Sequence, residues 1–154
     1  MKPAPVPQDI TTLINIIKGN LANGHLYAPE MPTTHHFSDN IYCREIFMPA
    51  ASVVVGKKHA TRHLNIVLSG ECVVWTVHGK KNLKAGMIFE SMAGEQKVVL
   101  MKTDVRFLTI HYNPDNLREE AALEGKYIQS SEQLPLFPEL ETRPLLEKEL
   151  EKLT

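Results

Sequence analysis

Two histidines four residues apart, His59 and His63, stand in the stretch GKKHATRHLNIVLSGE, Gly56 to Glu71. Imidazole is a common metal ligand and the side chain that moves protons near neutral pH. On a straight strand the pair would share a face but lie roughly 13 Å apart, at about 3.3 Å per residue. One ion cannot span that gap, because Zn–N bonds are about 2.0–2.1 Å. A shared site therefore requires the Ala-Thr-Arg segment, residues 60–62, to turn a corner between two strands. A third histidine, His111 in RFLTIHYNP, shares a strand face with Val105, Phe107 and Thr109. Taken alone it reads as a hydrogen-bonded core or rim residue. If its face points inward it reaches the same cavity, and three histidines with open positions suit Zn or Fe(II). Arg62 and Asn65 flank His63; if they face inward they would hold an anionic or carbonyl-bearing ligand, although Arg62 reads as solvated.

The elements that must position these side chains are strands. From Ile41 to Tyr112, short β-branched or aromatic runs are punctuated by Gly, Pro, Asn or Asp every 8–12 residues, which predicts a sandwich or barrel. No helical pattern falls between them, so a parallel βαβ sheet is excluded as the expectation. Residues 1–40 read as a Pro-rich arm, a short amphipathic helix over Asp9–Lys18 (Ile10, Leu13, Ile14, Ile17) and mostly loop, with His35 and His36 in that loop. Residues 114–154 read as a helical extension. PDNLREEAALEGKY predicts a helix with Pro near its first turn and Gly125 near its end. LLEKELEKLT predicts a last helix with Leu145, Leu146, Leu150 and Leu153 on one side, which needs a partner surface. The three zones, 1–40, 41–113 and 114–154, form one structural domain.

Composition narrows the function classes. The chain has 154 residues, 43% hydrophobic and 23% charged, and a formal net charge of −1. That suits one soluble domain and leaves no broad basic surface for direct nucleic-acid binding. No apolar stretch is long enough to span a bilayer. Two cysteines, Cys43 and Cys72, are too few for a disulfide framework and read as small strand residues of a reducing compartment, so the expectation is cytoplasmic. Trp75 reads as core; His25 and His78 read as solvent-exposed. There is no Ser-His-Asp arrangement, P-loop, dinucleotide fingerprint or CxxC pair, so no catalytic nucleophile is named.

The histidine stretch resembles the first motif of the cupin family, G-x5-H-x-H-x3-E-x6-G. With the final glycine on Gly70, His63 takes the glutamate position, His59 the second histidine, Lys57 the first histidine and Ala51 the leading glycine. The second cupin motif, G-x5-P-x-G-x2-H-x3-N, falls on GMIFESMAGEQKVVLM with Gly86 and Gly94 in register. Met92 replaces its proline, Lys97 its histidine and Met101 its asparagine; Glu95 or Gln96 would stand in if the strand is shifted. The resemblance covers residues 41–112 and extends to small cupin-like proteins of bacteria and their phages. It implies an all-β jelly-roll barrel (a double-stranded β-helix) with a short N-terminal helix and a helical C-terminal extension. It also implies a pocket lined by His59, His63, Lys97 and His111. The family's metal would be one divalent ion (Zn, Fe, Mn or Ni) on His59, His63 and His111, although a lysine cation in that layer repels an ion unless burial neutralises it. Cupins often pair through sheet edges, so a homodimer is expected.

A second motif stands in the tail. Gln133, Leu134, Leu136 and Phe137 form Q-L-x-L-F within EQLPLF. This resembles the short peptide by which bacterial polymerases and repair proteins dock on the DNA sliding clamp. Leu136 and Phe137 would fill an apolar pocket, with the Gln133 amide at a second subsite. The plain alternative is that the same side chains pin the tail to the barrel.

Three function classes follow. The preferred one is a binder or sensor of a small polar or anionic molecule, held in the histidine-lined barrel. The second is a metal-dependent cupin enzyme of isomerase, hydrolase or dioxygenase type using His59, His63 and His111. The third is an interaction protein docking through the tail.

Overall fold

The computed structural model describes residues 31–128 throughout, together with Asn15, which is helical, and the backbones of two outlying strands. The strands are β1 (Leu26–Tyr27), β2 (Thr33–Ser38), β3 (Ile41–Met48), β4 (Val53–Val55), β5 (His63–Ser69), β6 (Glu71–Thr76), β7 (Gly79–Lys84), β8 (Ile88–Ser91), β9 (Val98–Met101), β10 (Val105–Tyr112) and β11 (Leu134–Pro138). One helix, α1 (Glu120–Tyr127), follows β10. Apart from Asn15, the predicted N-terminal helix lies outside the described residues, as do His25 and the predicted last helix.

Two antiparallel sheets face each other. One runs β1-β11-β4-β9-β6-β7 and the other β2-β3-β10-β5-β8. Period-two alternation in β10 sends Val105, Phe107, Thr109 and His111 inward and leaves Arg106 and Tyr112 outside. Between the sheets lies an apolar core that includes Ile46, Met48, Val54, Val67, Val74, Val99, Met101, Val105 and Phe107. Each such buried aliphatic or aromatic side chain contributes about 1.5–3 kcal/mol relative to exposure. In β4, β6 and β9 both faces are buried, so Val53, Val73, Val98 and Trp75 are covered as well. That accounts for their continuous apolar runs in place of alternation.

Two glycine-type positions shape the turns. Gly70 has φ +87°, and a Cβ there would lie 2.0 Å from Asp104 O, so no other residue fits the β5–β6 turn. Ala51, at the leading-glycine position of the first motif, adopts φ +64° before β4.

Several expectations are corrected. Residues 33–38 are strand β2, not loop, and His35 and His36 lie in it. Their alternation was hidden because TTHHFS carries a single apolar residue, Phe37, too few to mark a face. The helix after β10 starts at Glu120, with Gly125 inside it. Asn113 causes the delay: its side chain accepts from Leu117 N (3.2 Å) and donates to Leu117 O (2.9 Å), and so competes with the first helical turn. Both cysteines are free. The tail motif lies largely in β11, whose backbone pairs with β4 (Leu134 opposite Val55, Leu136 opposite Val53) and with β1.

Candidate functional site

The corner required between His59 and His63 is present. The chain leaves β4 at Val55 and re-enters a strand only at His63. Backbone bonds pin this crossing: Gly56 N donates to Lys97 O (2.8 Å), Gly94 N to His59 O (2.8 Å) and Ala60 N to Tyr127 O (2.7 Å). His59 also forms a β-bridge with Ile128, just past α1. The crossing thus tucks under the end of the helix and turns back into β5. Ring centres come to 4.5 Å for His59–His63, 4.9 Å for His63–His111 and 5.4 Å for His59–His111.

All three imidazoles are held neutral. Burial first, then the neighbouring His63 and the Lys97 cation, push His59 down to about 2. The same causes push His111 down to about 3. Burial also lowers His63, against the opposing hydrogen bond to Thr61. His63 Nδ1–H donates to Thr61 O at 2.9 Å, which leaves its Nε2 with a lone pair. That Nε2, with His59 Nδ1 and His111 Nδ1, is buried and has no hydrogen-bond partner among the described residues. Tyr42 and Tyr127 stack on His111 at 5.8 and 4.7 Å, and on each other at 6.3 Å.

The cluster opens on a cavity of about 140 Å³. Ile46, Met48, Val54, Val99 and Phe107 give it an apolar lining, while His59, His111, Asn65, Thr109, Lys97 and Arg44 add the polar lining. Helix α1 contributes Glu120, Leu123, Glu124 and Tyr127, and Lys57 at the rim pairs with Glu124. Lys97 is 8% exposed, and its Nζ donates to Ser91 Oγ at 2.7 Å. Asn65 Nδ2 donates to the same oxygen at 2.9 Å. Burial lowers the Lys97 amine to about 8, partly offset by Glu95. The strand is not shifted: Gln96 bonds Gly56 O, Glu95 bonds Met92 N, and Lys97 alone of the three lines the cavity. Among the described residues, neither Lys97 nor Arg44 has a carboxylate within ion-pairing distance.

Of the residues marked in the sequence, His59, Lys97 and His111 line this cavity, and His63 stands beside His59. Arg62 turns outward and pairs with Glu90 at 2.8 Å, whereas Asn65 is fully buried. Of the tail residues, Gln133 lies outside the described residues, and Leu134, Leu136 and Phe137 are described by backbone alone. Sequence reasoning missed Arg44, Tyr42 and His35, whose Nδ1 lies 2.7 Å from Tyr42 Oη. A signal existed: Tyr42, Arg44, Ile46 and Met48 fall on one face of β3 by simple alternation. Nothing local marks Tyr127, which reaches the site only because α1 folds over the barrel.

Whether the three histidines fit a metal turns on donors and spacing. Three imidazoles on one tetrahedral ion would set ring centres about 5 Å apart, given Zn–N of about 2.0–2.1 Å. The observed ring spacing meets this, and each ring has an unpaired buried nitrogen. Among the described residues, however, no group of three or more His, Cys, Asp or Glu side chains is arranged to hold an ion as it stands. The donor set fits a divalent ion; loading would require the rings to turn toward a common point.

No protein-family model and no curated protein matches the chain. Solved structures do. The ectoine synthase from P. lautus is 12% identical over 71% of this chain and 78% of that one, with a TM-score of 0.54. A cupin superfamily protein from Desulfitobacterium hafniense is 17% identical over 56% of this chain and 80% of that one, with a TM-score of 0.47. Likeness at these identities speaks to architecture and not to activity. Two facing antiparallel sheets, the glycine turns and the inward histidine corner together give this chain the cupin fold.

Proposed function

We propose that the protein binds a compact anionic molecule in the histidine-lined cavity. The carrying observation is that Arg44 and Lys97 reach the cavity without a carboxylate partner among the described residues, while the three histidines beside them are neutral. Unpaired cations in a half-closed pocket are costly unless an anion completes them. At about 10–15 Å³ per water-sized site, the volume has room for a molecule of roughly ten heavy atoms. Calorimetry with small carboxylates, phosphate and neutral analogues tests this. Arg44→Gln should weaken the binding of anions at least about tenfold and leave neutral analogues unchanged. Equal affinity for charged and neutral compounds would refute it.

A second reading is favoured by the three unpaired nitrogens. His59, His63 and His111 would hold one divalent ion, whose open positions would polarise an oxygen of the ligand. Thr61, by fixing the His63 tautomer, would aim its Nε2 lone pair. Elemental analysis of the purified protein tests this, with His59→Ala and His63→Ala as controls.

The expected homodimer has support in the outer face of the β2-β3-β10-β5-β8 sheet. Ile41, Leu64, Leu68, Ile88 and Tyr112 are exposed there, bordered by the Arg62–Glu90 and Arg106–Glu45 pairs. Each pair is neutral overall and self-complementary under a two-fold axis, which favours a second copy as the occupant. Sedimentation of the wild type and of Leu64→Asp distinguishes a dimer from a monomer.

A further inference from the structure

We propose that Lys97 is a nucleophilic amine that captures the carbonyl carbon of a small 2-oxo acid as an imine. This rests on the reading of the cavity as a ligand site and adds to it a covalent step and a ligand class.

The placement of the amine carries the inference. Lys97 is buried in the segment that enters β9, yet its Nζ meets no carboxylate within ion-pairing distance among the described residues. Its hydrogen-bond partner is Ser91 Oγ, which also accepts from Asn65. The Phe89 ring lies 5.9 Å away. A cation in such a place weakens the fold, and an apolar residue of similar volume would strengthen it. An amine desolvated against apolar walls is also the setting in which lysine becomes a nucleophile. Burial lowers its pKa to about 8. About a tenth of the amine is then neutral at pH 7, whereas a solvated lysine with a pKa of about 10.4 has well under a thousandth.

The site also holds the other groups that the reaction needs. The amine nitrogen bonds to the carbonyl carbon as the C=O π bond opens, and a proton passes from nitrogen to oxygen to give a carbinolamine. The C–O bond then breaks, the nitrogen lone pair forms C=N, and water leaves. The sum is amine plus carbonyl to imine plus water, with no redox partner. Ser91 Oγ, hydrogen-bonded to Nζ at 2.7 Å, can relay the proton: it takes one from nitrogen as it passes its own to the carbonyl oxygen and then to the departing hydroxyl. Arg44 supplies a planar donor pair for a carboxylate beside the carbonyl, which selects a 2-oxo acid over a simple aldehyde.

Glyoxylate is the probe, with acetaldehyde as its neutral counterpart and cyanoborohydride to trap the imine on the full chain at pH 7 after chelation. Peptide mapping of the wild type should find Lys97 alkylated at least about tenfold faster than the average exposed lysine. Lys97→Met should lose that adduct while keeping a wild-type near-UV spectrum. Arg44→Gln should slow trapping with glyoxylate at least about tenfold and leave acetaldehyde unchanged. Labelling spread evenly over the lysines would overturn the inference, and mapping on the wild type decides this even if Lys97→Met fails to fold. Calorimetry without reductant separates the two levels. Glyoxylate that binds without an adduct at Lys97 overturns the imine and leaves the anion site standing. If glyoxylate neither binds nor labels Lys97, and no other anion binds, both fall.

Discussion

His59 and His63 hold their ring centres 4.5 Å apart, about a third of the span that a straight strand would impose. The difference is made by main-chain bonds, from Gly94 N to His59 O and from Ala60 N to Tyr127 O, and not by the imidazoles. The rings therefore meet without opposite charges to hold them, and each keeps a nitrogen without a partner among the described residues.

That arrangement makes stability depend on pH. His59 and His111 have folded-state values of about 2 and 3, below the ordinary 6.5. Between those limits the unfolded chain binds more protons than the folded one. Stability is thus fully present above pH 6.5 and lost as pH falls below it. Each group should cost about 2 kcal/mol at pH 5, at about 1.4 kcal/mol per pKa unit. Urea titrations of chelated protein at pH 7 and pH 5 measure this. His59→Gln should remove about half of the drop; an unchanged drop would assign it to carboxylates instead.

Chelation and reloading address the ion. Protein loaded with Zn should show one equivalent per chain and should melt higher than the chelated form, because binding to the folded state alone stabilises it. Both effects should vanish in His63→Ala and persist in His78→Ala, since His78 is solvent-exposed. Retention of zinc by His63→Ala would place any ion elsewhere.

Gly70→Ala should be severely destabilising. The substitution puts a methyl 2.0 Å from the Asp104 carbonyl at φ +87°. The left-handed backbone alone costs about 1–2 kcal/mol, and relieving the clash adds to that. A loss of about 3 kcal/mol or more is expected by denaturant midpoint. A loss under 1 kcal/mol would show that the β5–β6 turn relaxes freely.

Tyr127→Phe isolates the contact between helix and barrel. The phenol donates to Tyr112 O at 2.5 Å from a ring that is 3% exposed and stacked on His111. Its removal should cost about 1–2 kcal/mol. Amide exchange over residues 120–128 should rise while that of β5 and β10 stays unchanged. Equal acceleration throughout would mean that the helix opens only with the whole barrel.

Much of the barrel was legible because alternation and turn chemistry are local. Gly70, Gly86 and Gly94 all adopt positive φ, as turn glycines do, and the β10 run RFLTIHYN already put His111 on one face with Val105, Phe107 and Thr109. The histidine corner was legible too, since a straight strand could not serve the pair. β2 was not, because half-exposed polar strands such as TTHHFS leave no hydrophobic period to read. Helix α1 was misplaced because a side chain, Asn113, held the backbone bonds that its first turn would have used.

What the sequence determined by itself is therefore the set of strand faces: which residues point in, and that His59 needs a bend to meet His63. Only the tertiary structure decided what stands opposite them. Arg44, Lys97 and Tyr127 come from β3, the segment entering β9 and the helix, and no local pattern states their distance to His111. Strand pairing and helix docking bring together residues dozens of positions apart, and the burial that follows both neutralises the histidines and leaves one lysine without an ion-pairing carboxylate among the described residues.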